Sequence, residues 1–120
     1  GLPGLVLAIM GVSRVTLIES DLRKTIFLQE AARETGTEIT ILNQRVEQVA
    51  GKTFDIITSR ALAPLRVLLE LSQSLFRADT KCLFPKGKNY TMEIEEARKE
   101  WMFHVKHHPS ITDPKSTILE

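Results

Sequence analysis

The chain has 120 residues, 42% of them hydrophobic and 26% charged, so a single globular domain with a modest core is the expectation. Sixteen basic and fifteen acidic residues leave a formal charge of +1, which excludes a tail that coats nucleic acid and confines any RNA contact to a local patch. No apolar run approaches the roughly 18 residues that span a bilayer, and the lone Cys82 excludes an internal disulfide, so no membrane partner and a reducing, cytoplasmic location are expected.

The first four residues, Gly1-Leu2-Pro3-Gly4, run directly into the apolar segment Leu5–Met10. Two glycines so close before a helix suit a strand-to-helix turn, where backbone approaches both a ligand and the next strand. A strand should precede such a turn, yet the sequence starts at the turn without an initiator Met. The expectation is therefore a nucleotide-binding domain lacking its first strand.

Arg14–Glu19 is a β-rich run that ends in an acid. Ser20 or Asp21 can cap the next helix, whose apolar positions Leu22, Ile26, Phe27 and Ala31 recur at helical spacing, and Gly36 closes it in the left-handed position. Glu38–Leu42 and Phe54–Thr58 read as the second and third strands. Pro64 can start a helix that buries Leu65, Leu68, Leu69, Leu75 and Phe76. Thr80–Phe84 is a fourth strand, stopped by Pro85, with Cys82 a core residue rather than a nucleophile.

The loop Lys86-Gly87-Lys88-Asn89 leads to a helix over Thr91–Trp101, with Glu93, Glu95 and Glu96 near its positive dipole end. Phe103–His107 alternates again, with Phe103 and Val105 inward and His104, Lys106 and His108 outward. Pro109–Pro114 makes a turn before a last strand in Ser116–Leu119. Three strand–helix units followed by an antiparallel pair imply an open α/β sheet with parallel strands and a terminal hairpin, in one domain over residues 1–120.

In such sheets ligands bind at the carboxyl ends of the strands. Four groups fall there. Amides of the Gly1–Gly4 turn can meet a carboxylate or phosphate, although the same residues suit any tight turn. Glu19 can accept both hydroxyls of a ribose, the alternative being a solvated acid at a helix start. In Arg45-Val46-Glu47, a backbone amide can bond an adenine edge while Val46 covers its face; Glu47 alone reads as a surface charge. Arg60 ends an apolar strand, where its charge calls for a partner: Asp55, Glu47 or a bound carboxylate. His104, His107 and His108 lack carboxylates or thiols at useful spacing, so no metal is expected.

With these groups in order, the sequence resembles the RsmG (GidB) family of bacterial 16S rRNA methyltransferases. The resemblance rests on Gly1-Leu2-Pro3-Gly4, Val15–Ser20, Arg45-Val46-Glu47, Ser59–Ala63 and Lys86-Gly87-Lys88. It implies a Rossmann-like class I S-adenosylmethionine-dependent methyltransferase fold, truncated so that the first strand and the N-terminal helices are absent. It also implies methylation of N7 of a guanine in the decoding-region loop of 16S rRNA, with 16S rRNA or a small-subunit precursor as partner. Leu2, Val46, Glu47 and Arg60 then match cofactor contacts, with Gly1 and Glu19 beside them. The family's Asp-x-Gly-x-Gly stretch before Gly1 is missing, so a gap between two halves of the sheet is expected, and this piece alone should be inactive.

Guanine N7 carries a free lone pair, so no general base is required and no catalytic residue is assigned. Lys86 and Lys88 can hold RNA phosphates, or else form a solvated loop. Three other readings stay open: a fragment of an NAD-dependent oxidoreductase, a non-catalytic adenine-nucleotide-binding module, and a methyltransferase acting on a small molecule or protein.

Overall fold

Strands and helices alternate along the chain in a computed structural model that describes residues 3–60, 63–111 and 117–120. They gather into two compact units, Gly1–Ala50 and Gly51–Glu120, each with its own apolar cluster.

The first unit contains α1 (Gly4–Ile9), β1 (Thr16–Ile18), α2 (Leu22–Glu34), β2 (Thr40–Leu42) and a single 3₁₀ turn, Val46–Gln48. β1 and β2 are parallel, with Thr16 opposite Thr40 and Ile18 opposite Leu42. Leu5 of α1, Leu17 of β1, and Leu28 and Ala32 of α2 form the core. Gly4 permits the tight approach of α1 to β1, since a Cβ there would lie 2.5 Å from Leu17 Cδ2. Asp21 caps α2 by accepting the amides of Arg23 and Lys24 at 2.8 and 3.3 Å. At the other end Gly36 takes φ +63°. Its amide bonds Arg33 O and that of Thr37 bonds Ala32 O, the two-bond closure expected of a left-handed glycine.

The buried face of α2 differs from the one its apolar residues suggest. Thr25, Leu28 and Ala32 are buried, while Leu22, Ile26 and Phe27 are 60%, 50% and 64% exposed and Ala31 is half-buried. Local hydrogen bonding sets the helix phase. Thr25 Oγ1 lies 3.0 Å from Asp21 O and 3.4 Å from Glu19 O, and it accepts from Asn43 Nδ2 at 3.1 Å. A fully satisfied hydroxyl can be buried cheaply, so the polar residue faces the strands.

The second unit contains β3 (Ile56–Thr58), α3 (Leu65–Ser72) with a 3₁₀ turn at Gln73–Leu75, β4 (Lys81–Lys86), α4 (Tyr90–Arg98), β5 (His107–Pro109) and β6 (Thr117–Leu119). Its sheet has the order β3-β4-β6-β5, parallel between β3 and β4 and antiparallel thereafter, which includes the expected terminal hairpin. Leu65, Leu68, Phe84, Ile94, Ala97 and Leu119 form the core, with Leu69, Cys82, Phe103 and Val105 packed against it. Among the described residues, no strand pairing joins β1–β2 to this sheet.

Pro85 does not stop β4. It stands opposite Ile118 inside the strand, and the ladder to β3 already ends at Leu83 opposite Thr58. The missing N–H therefore falls where only β6 flanks the strand, a position proline tolerates. β5 begins later than its alternation suggests, although Lys106 and Glu120 exchange both backbone bonds at 3.0 Å just before it. Phe103 and Val105 are half-buried and His104, Lys106 and His108 exposed, as the alternation requires. α4 ends at Arg98, short of the expected Trp101. Most of the expected turn after Pro109 lies outside the described residues.

Candidate cofactor site

Among the described residues, each candidate ends or follows a strand of a parallel pair, and within each unit these candidates share one end of the sheet. In the first unit Glu19 directly follows β1, its amide donating to Leu42 O at 3.0 Å and so extending the ladder. The half-buried Glu19 accepts the amide of Asp21 on Oε2 at 3.0 Å, which holds the carboxylate over the start of α2.

Asn43 ties the two strand ends together. Its Nδ2 lies 3.0 Å from Glu19 O and 3.2 Å from Ser20 O, besides the bond to Thr25. Sequence reading missed this residue; an amide side chain placed directly after a strand was the available signal. Beyond it, Arg45 enters the 3₁₀ turn with its amide bonded to Gln48 Oε1 at 3.2 Å, and Gln48 N returns to Arg45 O at 2.9 Å. Val46 is half-buried in this turn and Glu47 is exposed. The unit thus presents a fixed carboxylate, and a short turn carrying the half-buried Val46, beyond the carboxyl ends of neighbouring parallel strands. Gly1 and Leu2 lie outside the described residues.

In the second unit Arg60 follows β3 and is exposed. The burial expected for it is not seen, and Asp55, one of its expected partners, pairs with Arg77 instead. No ion pair engages Arg60 among the described residues, so its guanidinium is available to an anion. Lys86 ends β4 and Lys88 lies in the turn before α4, so both stand at the same sheet end as Arg60. Their environments differ sharply. The Lys86 side chain is 8% exposed and its Nζ is engaged by Glu93 Oε1 at 2.9 Å and Ala63 O at 2.6 Å. Lys88 is exposed.

Cys82 is half-buried in β4, and burial pushes its thiol up to about 11. That environment suits packing rather than nucleophilic attack. His108 bonds Glu120 at 2.7 Å, and the His107 ring meets Tyr90 edge-on. Among the described residues, no three His, Cys, Asp or Glu side chains cluster as metal ligands would.

Comparison with known proteins gives these positions a context. A family model described as rRNA small subunit methyltransferase G matches residues 1–118. The chain belongs to the GidB family. Relatives named ribosomal RNA small subunit methyltransferase G include those of Rhodospirillum centenum, 48% identical over 99% of the chain, and Paramagnetospirillum magneticum, 46% identical over 99%. The chain spans only 55% and 58% of the length of these two GidB proteins. In fold it is similar to a ribosomal protein L11 methylase from Lactobacillus delbrueckii subsp. bulgaricus, with a TM-score of 0.76 at 20% identity, covering 95% of the chain and 62% of that protein. A second likeness, to a putative methyltransferase from Thermoplasma acidophilum, has a TM-score of 0.64 at 9% identity and covers 99% and 62% of the two chains. The GidB chain therefore has the Rossmann-like methyltransferase fold expected from its sequence.

Proposed function

We propose that the protein is an S-adenosylmethionine-dependent methyltransferase acting on N7 of a guanine in 16S rRNA, either free or in a small-subunit precursor, in the cytoplasm. The observation that carries the reading is the Glu19 carboxylate, fixed at the end of β1 beside the Val46 turn, in a chain matched by this family over residues 1–118. The residues present fit such a cofactor. A carboxylate held by one backbone amide keeps lone pairs for a vicinal diol, and a half-buried Val46 beside backbone amides suits an adenine face and edge.

In this reading Glu19 accepts the ribose hydroxyls, Val46 covers the adenine and the Glu47 segment lines its edge. Arg60 pairs with the methionine carboxylate, and Gly1 and Leu2 contact the same half of the molecule. When bound, the cofactor supplies an electrophilic methyl group on a sulfonium. The chain has no proton to remove from guanine N7, so its task is to hold nucleophile and methyl in line, where effective molarities of roughly 10⁵ M or more are available. Lys88, exposed at the same sheet end as Arg60, holds an RNA phosphate. The activity belongs to the full-length protein, and residues 1–120 alone are inactive.

Calorimetric titration of the full-length protein with S-adenosylmethionine, together with methyl transfer to small-subunit rRNA mapped by primer extension, tests this. Glu19→Ala should weaken cofactor binding roughly tenfold or more, as expected when a charged hydrogen-bond acceptor is lost. Unchanged affinity in that variant would remove the ribose role. Cofactor binding without transfer to rRNA would instead favour a non-catalytic binding module.

A further inference from the structure

Two aromatic rings from different elements meet at the edge of the second unit's sheet. Tyr90 opens α4, and His107 opens β5, whose strand neighbour is β6 alone. Their ring centroids lie 5.5 Å apart with the planes inclined at 64°, a favoured edge-on arrangement. The register sets His107 opposite Leu119, and Leu119 opposite Phe84. Residues directly opposite one another share a sheet face, so His107 belongs to the face where Phe84 and Leu119 pack against Ile94 and Ala97 of α4. At the edge of that face it is nonetheless exposed, while Tyr90 is half-buried and packs against the core. In an edge-on pair each ring keeps a face that its partner does not use. The result is an exposed imidazole backed by an anchored phenol.

The two lysines near the start of α4 are not equivalent. Lys86 is consumed within the protein: Glu93 Oε1, which engages its Nζ, also accepts the amide of Leu65, the first residue of α3, at 3.0 Å. Lys88 stands two residues before Tyr90 in the turn into α4, exposed and without an ion pair among the described residues. Its charge is therefore free for an anion beside the ring pair.

We propose that the Tyr90–His107 pair is a stacking platform for one unpaired base of single-stranded RNA, with Lys88 on an adjoining phosphate. Proteins that read RNA take unstacked bases of loops and ends onto aromatic rings, histidine included, and follow the backbone with cations. The stacked base is a neighbour of the methylated guanine and not the guanine itself. In the order β3-β4-β6-β5 the platform strand is three steps from β3, which Arg60 follows, or about 14 Å at the usual strand spacing. This rests on the reading of the protein as an rRNA methyltransferase.

The test compares His107→Ala, His107→Phe and Lys88→Ala with the wild type in the full-length protein. Two quantities are read: binding of small-subunit rRNA, as a transcript or in precursor particles, across a range of salt, and affinity for S-adenosylmethionine by calorimetry. His107→Ala should weaken RNA binding roughly tenfold, the scale of one base–aromatic stack, and leave cofactor affinity unchanged. His107→Phe should restore most of the loss, because it returns a ring without the imidazole nitrogens. Its salt slope should match the wild type, whereas the slope should fall by about one in Lys88→Ala. Unchanged RNA affinity in His107→Ala would overturn the platform. So would a His107→Phe variant that binds no better than His107→Ala, or a matching loss of cofactor affinity in His107→Ala. If the wild-type protein binds small-subunit rRNA in neither form, the rRNA reading itself fails, and the platform fails with it.

Discussion

The side-chain amide of Asn43 donates to the backbone carbonyl of Glu19 at 3.0 Å, joining the carboxyl ends of two parallel strands that carry the candidate site. The same nitrogen lies within bonding distance of Ser20 O and Thr25 Oγ1. One amide therefore holds the start of α2 and the end of β1 together, and places Glu19 indirectly.

Asn43→Ala should cost about 1–2 kcal/mol in urea unfolding, the loss expected when polar groups formerly bonded to it must find water. Asn43→Asp should be no better, because an acceptor then faces two carbonyls. Both variants should also raise the dissociation constant for S-adenosylmethionine, whereas a purely surface role for Asn43 would leave stability within about 0.5 kcal/mol of wild type.

Glu93→Ala removes the partner of a lysine side chain that is 8% exposed and uncaps α3 in the same step. Destabilisation of about 2–3 kcal/mol is expected, near the range for breaking a charged, largely buried hydrogen-bonded pair. Glu100→Ala, whose pair with Arg66 spans 3.6 Å at the surface, should change stability by less than about 1 kcal/mol. Equal effects of the two substitutions would contradict the assigned environments.

At Gly4 a methyl group would meet Leu17, which is buried at 4% exposure. Gly4→Ala gains some helix propensity but must push Leu17 aside. A net loss of about 1 kcal/mol is expected from overpacking, seen as a lower thermal midpoint. A rise in the midpoint would mean that Leu17 has room to move.

Cys82 supplies a pH prediction. Its thiol is pushed from 9.0 to about 11 by burial, so the folded chain holds this proton more tightly than the unfolded one. Between those values the native state binds more protons. This group therefore leaves stability unchanged below about pH 9 and lowers it as pH rises toward 11. The thiolate fraction at pH 8 is about a hundredfold below that of a free thiol, so iodoacetamide should label the folded chain correspondingly slowly. Unfolding in urea should restore the ordinary rate.

The order of strands and helices was legible because burial writes itself into periodic apolar residues, as at Leu65, Leu68 and Leu75, and because Asp21 and Gly36 mark helix ends chemically. The phase of α2 was not legible. Leu22, Ile26 and Phe27 are more hydrophobic than Thr25, and only the convergence of Glu19, Asp21 and Asn43 on the Thr25 hydroxyl decides which side faces inward. Lys86 was hidden in the same way. Beside Lys88 in sequence it looks like half of a basic loop, yet its acceptors come from Ala63, far upstream, and from Glu93 on the following helix. Pairings fixed by tertiary approach leave no local trace.

β1 has β2 as its only strand neighbour, and β3 has only β4, among the described residues. Each therefore presents a row of backbone donors and acceptors along one side, in apolar segments such as Thr16-Leu17-Ile18 and Ile56-Ile57-Thr58. Such rows recruit whatever extended chain reaches them first. The 120-residue polypeptide should consequently be a hard protein to concentrate, its solubility set by competition between water and the strands of other copies.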